Sequence, residues 1–292
     1  MIKRVLVQKI KQEFPELKWK NAKHNVEGWD HYVIILDNKY VFRFPRNKHY
    51  MAKLENEISL LGYLKDKVKI SIPNYTYVAQ DKTFAGYELI HGQQLKKKVF
   101  KKLPKKTIEN IVKQMADFLS TLHKTPMSVA KNYNPKSKST KVEYSEIISR
   151  TRKHIIPKLG KRDKILTEAF FKDLKSYLNF PNKVFVHRNL YSSHILVDKK
   201  GITGIIDFSD KRIDDPARDF TELWDYGEAF VNDVYKLYKG PKDKDFIERS
   251  LAYYKTIPFK EMYSRFYGGR GSFKGGYRMF KDRFLGSEDF DY

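Results

Sequence analysis

Between Val184 and Asp210 the chain alternates short apolar runs with polar turns in an order that few folds accommodate. Val184-Phe-Val186 reads as a strand and His187-Arg-Asn189-Leu-Tyr-Ser-Ser-His194 as a loop. Ile195-Leu-Val197 reads as a second strand, and Gly204-Ile-Ile206 as a third that stops at Asp207. Strands of three residues bounded by Gly, Asn, Asp and Ser are stable only inside a larger body. Their consequence is positional: strand, loop, strand, turn, strand delivers His187, Asn189, His194 and Asp207 to one edge. A carboxylate there suits a hard cation such as Mg²⁺, whereas an imidazole is a less usual partner for it.

The rest of the chain is large enough to frame such an edge. Its 292 residues carry 20 Phe, 20 Tyr and 41% hydrophobic content, which excludes a disordered chain and allows one large core or two lobes. No run of about 18 apolar residues occurs, and charge interrupts Met1-Ile-Lys-Arg-Val-Leu-Val before a signal core forms, so no membrane partner and a cytoplasmic location are expected. Absence of cysteine excludes disulfides, cysteine nucleophiles and thiolate zinc sites. The formal net charge of +23 would attract nucleotides, RNA or other polyanions. Part of it sits in Lys96–Lys106, whose seven lysines meet no acid and also read as a solvated face or helix start.

Periodicity divides the chain near Gly92. Residues 2–14 read as a helix, and Tyr32–Phe44 as a hairpin turning at Asp37-Asn38 and stopped by Pro45. Residues 48–65 read as a helix buried along Leu54, Ile58, Leu61 and Leu64, followed by strands over 75–80 and 84–90. A small β-rich lobe over residues 1–91 is therefore expected. Residues 92–292 read as mainly helical, with helices over 107–124, 140–157 and 163–178 and a polar loop over 132–140.

These residues resemble the aminoglycoside phosphotransferase family, closest to its 2″-aminoglycoside and macrolide branches, over nearly the whole chain. The resemblance implies an α+β, bilobal protein-kinase-like fold that uses Mg²⁺ and ATP or GTP to phosphorylate a hydroxyl of an antibiotic-like small molecule. On it, His194 and Asp207 are the metal ligands, His194 standing where most kinases have Asn. Arg43 in Val41-Phe-Arg-Phe-Pro pairs with phosphate in place of the usual Lys, and Glu57 orients it. Tyr87, Glu88, Leu89 and Ile90 form the linker that holds the purine, and Gly28 marks a phosphate-covering loop by position only. His187 and Asp219 support the catalytic loop, and Asp210 is an auxiliary at the metal edge.

Asn189 departs from the family pattern, because that slot normally holds an Asp that accepts the acceptor's hydroxyl proton, which a carboxamide cannot do. Three readings stay open at this point: an engineered Asp→Asn change, a natural nucleotide-binding pseudokinase, or an enzyme that works without the base. Acceptor chemistry is equally open. Asp225 and Glu228 are the candidate acidic wall, expected to face Asp207. The stretch Tyr263-Ser-Arg-Phe-Tyr-Gly-Gly-Arg270 and onward to Arg278 interleaves aromatics with arginine in the manner of single-strand nucleic-acid binders, and fits equally a loop between two final helices. An RNA-directed or anionic-substrate kinase is the alternative.

Overall fold

A computed structural model describes residues 2–25, 30–133 and 138–286. Helix α1 (Ile2–Glu13) precedes strands β1 (Ala22–Asn25), β2 (His31–Leu36) and β3 (Tyr40–Pro45). Helix α2 (Lys48–Leu64) separates these from β4 (Tyr77–Val78) and β5 (Ala85–Glu88). The strands form one antiparallel sheet in the order β1-β2-β3-β5-β4. The hairpin turns where the sequence placed it. Asp37 and Asn38 both adopt positive φ, 47° and 56°, the pairing that matches the twist of a two-residue hairpin loop. Ile34, Leu36, Phe42, Phe44 and Phe84 then close a small core over Ile10 of α1, with the Phe44 and Phe84 rings stacked at 4.4 Å.

Past Gly92, β6 (Gln93–Gln94) leads into a mainly helical body. It contains α3 (Lys97–Phe100), α4 (Lys105–His123), α5 (Met127–Tyr133), α6 (Thr140–His154) and α7 (Lys161–Ser176). Strands β7 (Val184–Val186), β8 (Ile195–Asp198), β9 (Gly201–Ile205) and β10 (Arg212–Asp214) follow, and then α8 (Glu228–Leu237), α9 (Phe246–Tyr263) and α10 (Phe273–Leu285). A β-rich first part and a helical second part are thus present, as expected. Gly92 sits where backbone approaches closely, since a Cβ there would lie 2.4 Å from Thr203 Oγ1 and 3.0 Å from Leu196 Cβ.

The two cores do not divide where the sequence does. Leu60, Leu61 and Leu64 at the end of α2, with Ile70 and Ile72, pack into the large helical core rather than under the sheet. Helix α2 therefore spans both bodies, its middle presenting Glu57 toward β3.

Two small sheets grip the loop that opened the sequence argument. Strand β7 pairs with β10, and β8 lies between β6 and β9, so residues 187–194 are anchored at both ends. Neither β1 nor β10 was legible beforehand, because each is short and earns its strand state from its partner. Strand β4 is shorter than the predicted 75–80, and α6 ends at His154 rather than 157. Pro157 accounts for the latter by disfavouring helix at the residue before it. The arginine-aromatic tail forms the end of α9, a glycine turn and α10. Tyr263 and Phe280 enter the core, while Phe266 stacks on His154 at 4.4 Å at the surface. Among the described residues no helix is long and apolar enough to cross a membrane.

Candidate active site

Arg43 projects from the centre of β3 and is 8% exposed. Its Nη1 donates to Glu57 Oε1 at 2.6 Å and to the Tyr75 hydroxyl at 2.9 Å. Its Nη2 lies 3.3 Å from His31 Nδ1 and 3.6 Å from Asp207 Oδ1. A guanidinium with two separate ends can hold a helix carboxylate with one and face the cleft with the other, which a lysine amine cannot. Burial next to that guanidinium pushes the His31 ring down to about 3, so it is neutral.

Asp207 follows β9 with φ of 65°, a left-handed conformation that turns its carboxylate across the strand end. Burial alone would raise its pKa, but Arg43 and His194 hold it down to about 2. His194 Nδ1 lies 2.8 Å from the carbonyl oxygen of Asn189, which fixes that nitrogen as the donor, and Nε2 faces Asp207 Oδ2 at 3.6 Å. An imidazole nitrogen and a carboxylate oxygen turned toward each other fit a direct pair or, with Nε2 unprotonated, a shared cation. Among the described residues no cluster of three or more such side chains could hold a metal alone, so any ion here would draw its remaining ligands from a bound phosphate or water.

The loop carrying Asn189 is braced from beneath. Asp219, fully buried, accepts from the backbone amides of His187 at 2.8 Å and Arg188 at 2.6 Å, and from His123 Nε2 at 2.9 Å. Burial opposes its ionisation, yet the His123 bond keeps its pKa below the usual value. His187 packs on Phe208 at 4.3 Å and accepts the Asn189 amide through Nδ1 at 3.2 Å, while burial pushes its pKa down to about 4. Arg188 takes a positive φ of 63°, part of the sharp turn that points Asn189 into the cleft.

That cleft has a volume of about 750 Å³ and lies between the sheet and the helical body. Arg43, Tyr87, Leu89, Ile90, Asn189, His194, Asp207 and Asp210 all line it. Glu57 stands behind Arg43, and Glu88 is exposed on the far side of the linker, where it lines a separate groove. The Leu89 amide already donates to the Lys39 carbonyl at 2.8 Å. Gly28 lies outside the described residues. Asp225 and Glu228, expected as an acidic wall facing Asp207, line neither the cleft nor the cavity beside it. Asp225 accepts from the Tyr254 hydroxyl at 2.8 Å and pairs with Lys97 at 3.5 Å and Arg283 at 3.7 Å, and Glu228 is exposed in the first turn of α8.

A second cavity of about 390 Å³ adjoins the cleft, and Tyr191 and Asp210 line both. Burial raises the Asp210 pKa above the ordinary carboxylate value. The acids of this second space are Asp210, Glu143 and Glu222; sequence offered Glu222 among the acids that follow Asp207 but did not single out Glu143. Lys53, which lines the cleft and pairs with Asp30 at 3.5 Å, was also missed, although its place one helical turn before Glu57 was a usable signal. Glu143 gave none, since it meets Arg188 across 45 residues of chain.

A sheet carrying an ion-paired cation, joined past Gly92 to a helical body bearing the His194–Asp207 edge, is the arrangement of a kinase-like phosphotransferase. A profile of the phosphotransferase enzyme family matches residues 22–251, and the chain belongs to that family. The GDP complex of aminoglycoside 2'-phosphotransferase-IIIa shares the fold, with a TM-score of 0.87 at 22% identity over 99% of this chain and 100% of that one. Macrolide 2'-phosphotransferase type I does so with a TM-score of 0.69 at 18% identity over 97% of both chains. The uncharacterized protein YcbJ of Bacillus subtilis (strain 168) is 22% identical over 213 residues, 68% of each chain.

Proposed function

We propose that the chain transfers the γ-phosphoryl group of ATP or GTP to a hydroxyl of a small molecule. The observation that carries this reading is the convergence of Arg43, His194 and Asp207 on one cleft, with Arg43 held by Glu57 at 2.6 Å. Tyr87, Leu89 and Ile90 form the wall against which a purine would lie, and Arg43 would meet its phosphates. His194 and Asp207 would hold Mg²⁺, which supplies charge neutralisation of the phosphates when bound. Relatives of the same fold are named for aminoglycoside and macrolide acceptors, which supports a polyhydroxylated acceptor of antibiotic-like size.

In the transfer, the acceptor oxygen bonds to the γ-phosphorus as the bond to the nucleoside diphosphate breaks, and the hydroxyl proton must leave. Asn189 is placed to hold the hydroxyl but cannot take its proton. Asp210 is the one carboxylate of the described residues that lines both spaces, and it is the proton acceptor in this reading. Positioning and charge stabilisation carry most of phosphoryl transfer, so a displaced base leaves a working enzyme.

The test is nucleotide consumption by the unaltered chain with a panel of hydroxylated acceptors, repeated with Asp207→Ala and Asp210→Asn. Acceptor-dependent turnover that both substitutions abolish is the expected result. Tight nucleotide binding with no transfer to any acceptor, in this chain and in Asn189→Asp, would establish a pseudokinase instead.

A further inference from the structure

The charge of the second cavity runs opposite to what a polycationic acceptor needs. Its walls carry five basic side chains against three acidic ones. The acids are already engaged or weakened. Glu143 holds Arg188 at 2.7 Å, Arg212 at 3.1 Å and Lys260 at 3.2 Å, and burial raises the Glu222 carboxyl to about 7, leaving much of it uncharged at neutral pH.

Arg218 is in the reverse position. It is 6% exposed, its Nη1 donates to the Tyr144 hydroxyl, and its Nε has no partner. Among the described residues it forms no ion pair. Its guanidinium lies over the Tyr144 and Tyr253 rings at 5.4 and 5.1 Å, contacts that attract a cation without neutralising it. The Thr221 hydroxyl, on the same wall and 1% exposed, is also without a partner. No carboxylate pairs directly with this guanidinium, whose burial is offset at longer range by Glu143, Glu222 and Asp214, and its unpartnered Nε is left for an incoming anion.

We propose that this cavity takes an acceptor bearing a carboxylate or phosphate ester, which docks between Arg218 and Lys260 and presents its hydroxyl to the cleft past Tyr191. The proposal rests on the phosphotransferase reading and names the acceptor class for it. The anionic group is not consumed: the hydroxyl oxygen gains the phosphoryl group and loses its proton to Asp210. A polyamine is disfavoured by the same geometry, because its ammonium groups would meet five basic side chains, with Asp210 the one acid of this wall that is neither ion-paired nor, like Glu222, raised to about 7.

The experiment measures nucleotide consumption with a panel of hydroxylated carboxylates and phosphate esters, including gluconate, glucose phosphate and glycerol phosphate. Each is compared with its neutral parent, with the polycation kanamycin and with bulk tRNA. At least one anion should stimulate consumption about tenfold over its neutral parent, and the two kinds of anion separate carboxylate from phosphate recognition. Lys260→Gln, a change at a half-buried amine rather than in the core, should raise that anion's KM about tenfold with little change in kcat. Stimulation by kanamycin or tRNA in place of the anions, or by no anion beyond its parent, overturns the proposal. Failure of the underlying reading looks different: fluorescent nucleotide binding would then be insensitive to Asp207→Ala.

Discussion

His194 and Asp207 face each other from Nε2 to Oδ2 across 3.6 Å, while His194 Nδ1 sits 2.8 Å from the Asn189 carbonyl. The Nδ1 bond orients the ring so that Nε2 meets the carboxylate, and it ties that arrangement to the loop carrying Asn189.

A nitrogen ligand at this edge should tilt metal preference. Imidazole favours Mn²⁺ over Mg²⁺ more than an amide oxygen does. His194→Asn should therefore lower the ratio of Mn²⁺-supported to Mg²⁺-supported turnover by about tenfold, and Asp207→Asn should weaken nucleotide-coupled metal binding by 10- to 100-fold, roughly. Metal titrations of nucleotide binding check both, and an unchanged ratio in His194→Asn would remove His194 from the metal site.

Restoring a base beside the acceptor should accelerate the reaction. On the proposed reading Asn189→Asp adds a second carboxylate beside the acceptor, and a general base is worth about 10²-fold or more over none. With Asp210 already accepting the proton, the variant should raise kcat by less than that, about tenfold, and lose its dependence on Asp210. A kcat within about twofold of the original would mean that proton removal does not limit this enzyme.

Glu57 is 1% exposed and is paired with Arg43 at 2.6 Å. Removing one member of a buried pair leaves the other uncompensated, so Glu57→Gln should cost about 3 kcal/mol in denaturant unfolding and raise the nucleotide KM. Arg43→Lys keeps the charge and should cost less stability, but it loses the second guanidinium end and should raise the nucleotide KM as well. Equal stability of Glu57→Gln and the parent would contradict the buried pair.

Acid stability should report three buried groups. His31 and His187 have folded pKa values of about 3 and about 4, below the ordinary 6.5, so the unfolded chain binds more protons and stability falls as pH drops below 6.5. Glu222 is raised from 4.5 to about 7, so its contribution is complete below 4.5 and fades as pH rises toward 7, opposing one histidine. Glu222→Gln removes that opposition and should steepen the loss of stability between pH 6.5 and 5 by about 1.4 kcal/mol per pH unit. Urea midpoints at the two pH values decide it, and an unchanged slope would mean that Glu222 is already ionised in the folded protein.

What could be read ahead of the structure follows the range of the forces involved. The Asp37-Asn38 turn, the face of α2 and the strand-loop-strand around His187 are written by neighbours within a few residues, where backbone preference and apolar spacing act. Arg43 and Glu57 were joined by family resemblance rather than by spacing, and the fold brings them together across 14 residues. Asp225 went the other way. As a sequence it was an acid near the metal edge, but Arg283 and Lys97, drawn from distant segments, take it away from the cleft.

The local pattern alone therefore determined that this chain has a hairpin, a buried helix behind it and an edge presenting Asn189, His194 and Asp207. Only the tertiary structure decided which charges are free. Glu143 meets Lys260 across 117 residues and Arg212 across 69, and Arg218 lies over tyrosine rings with no acid in direct ion-pair contact among the described residues. Burial and ion pairing depend on what the whole fold brings within a few ångströms, a quantity no stretch of sequence contains.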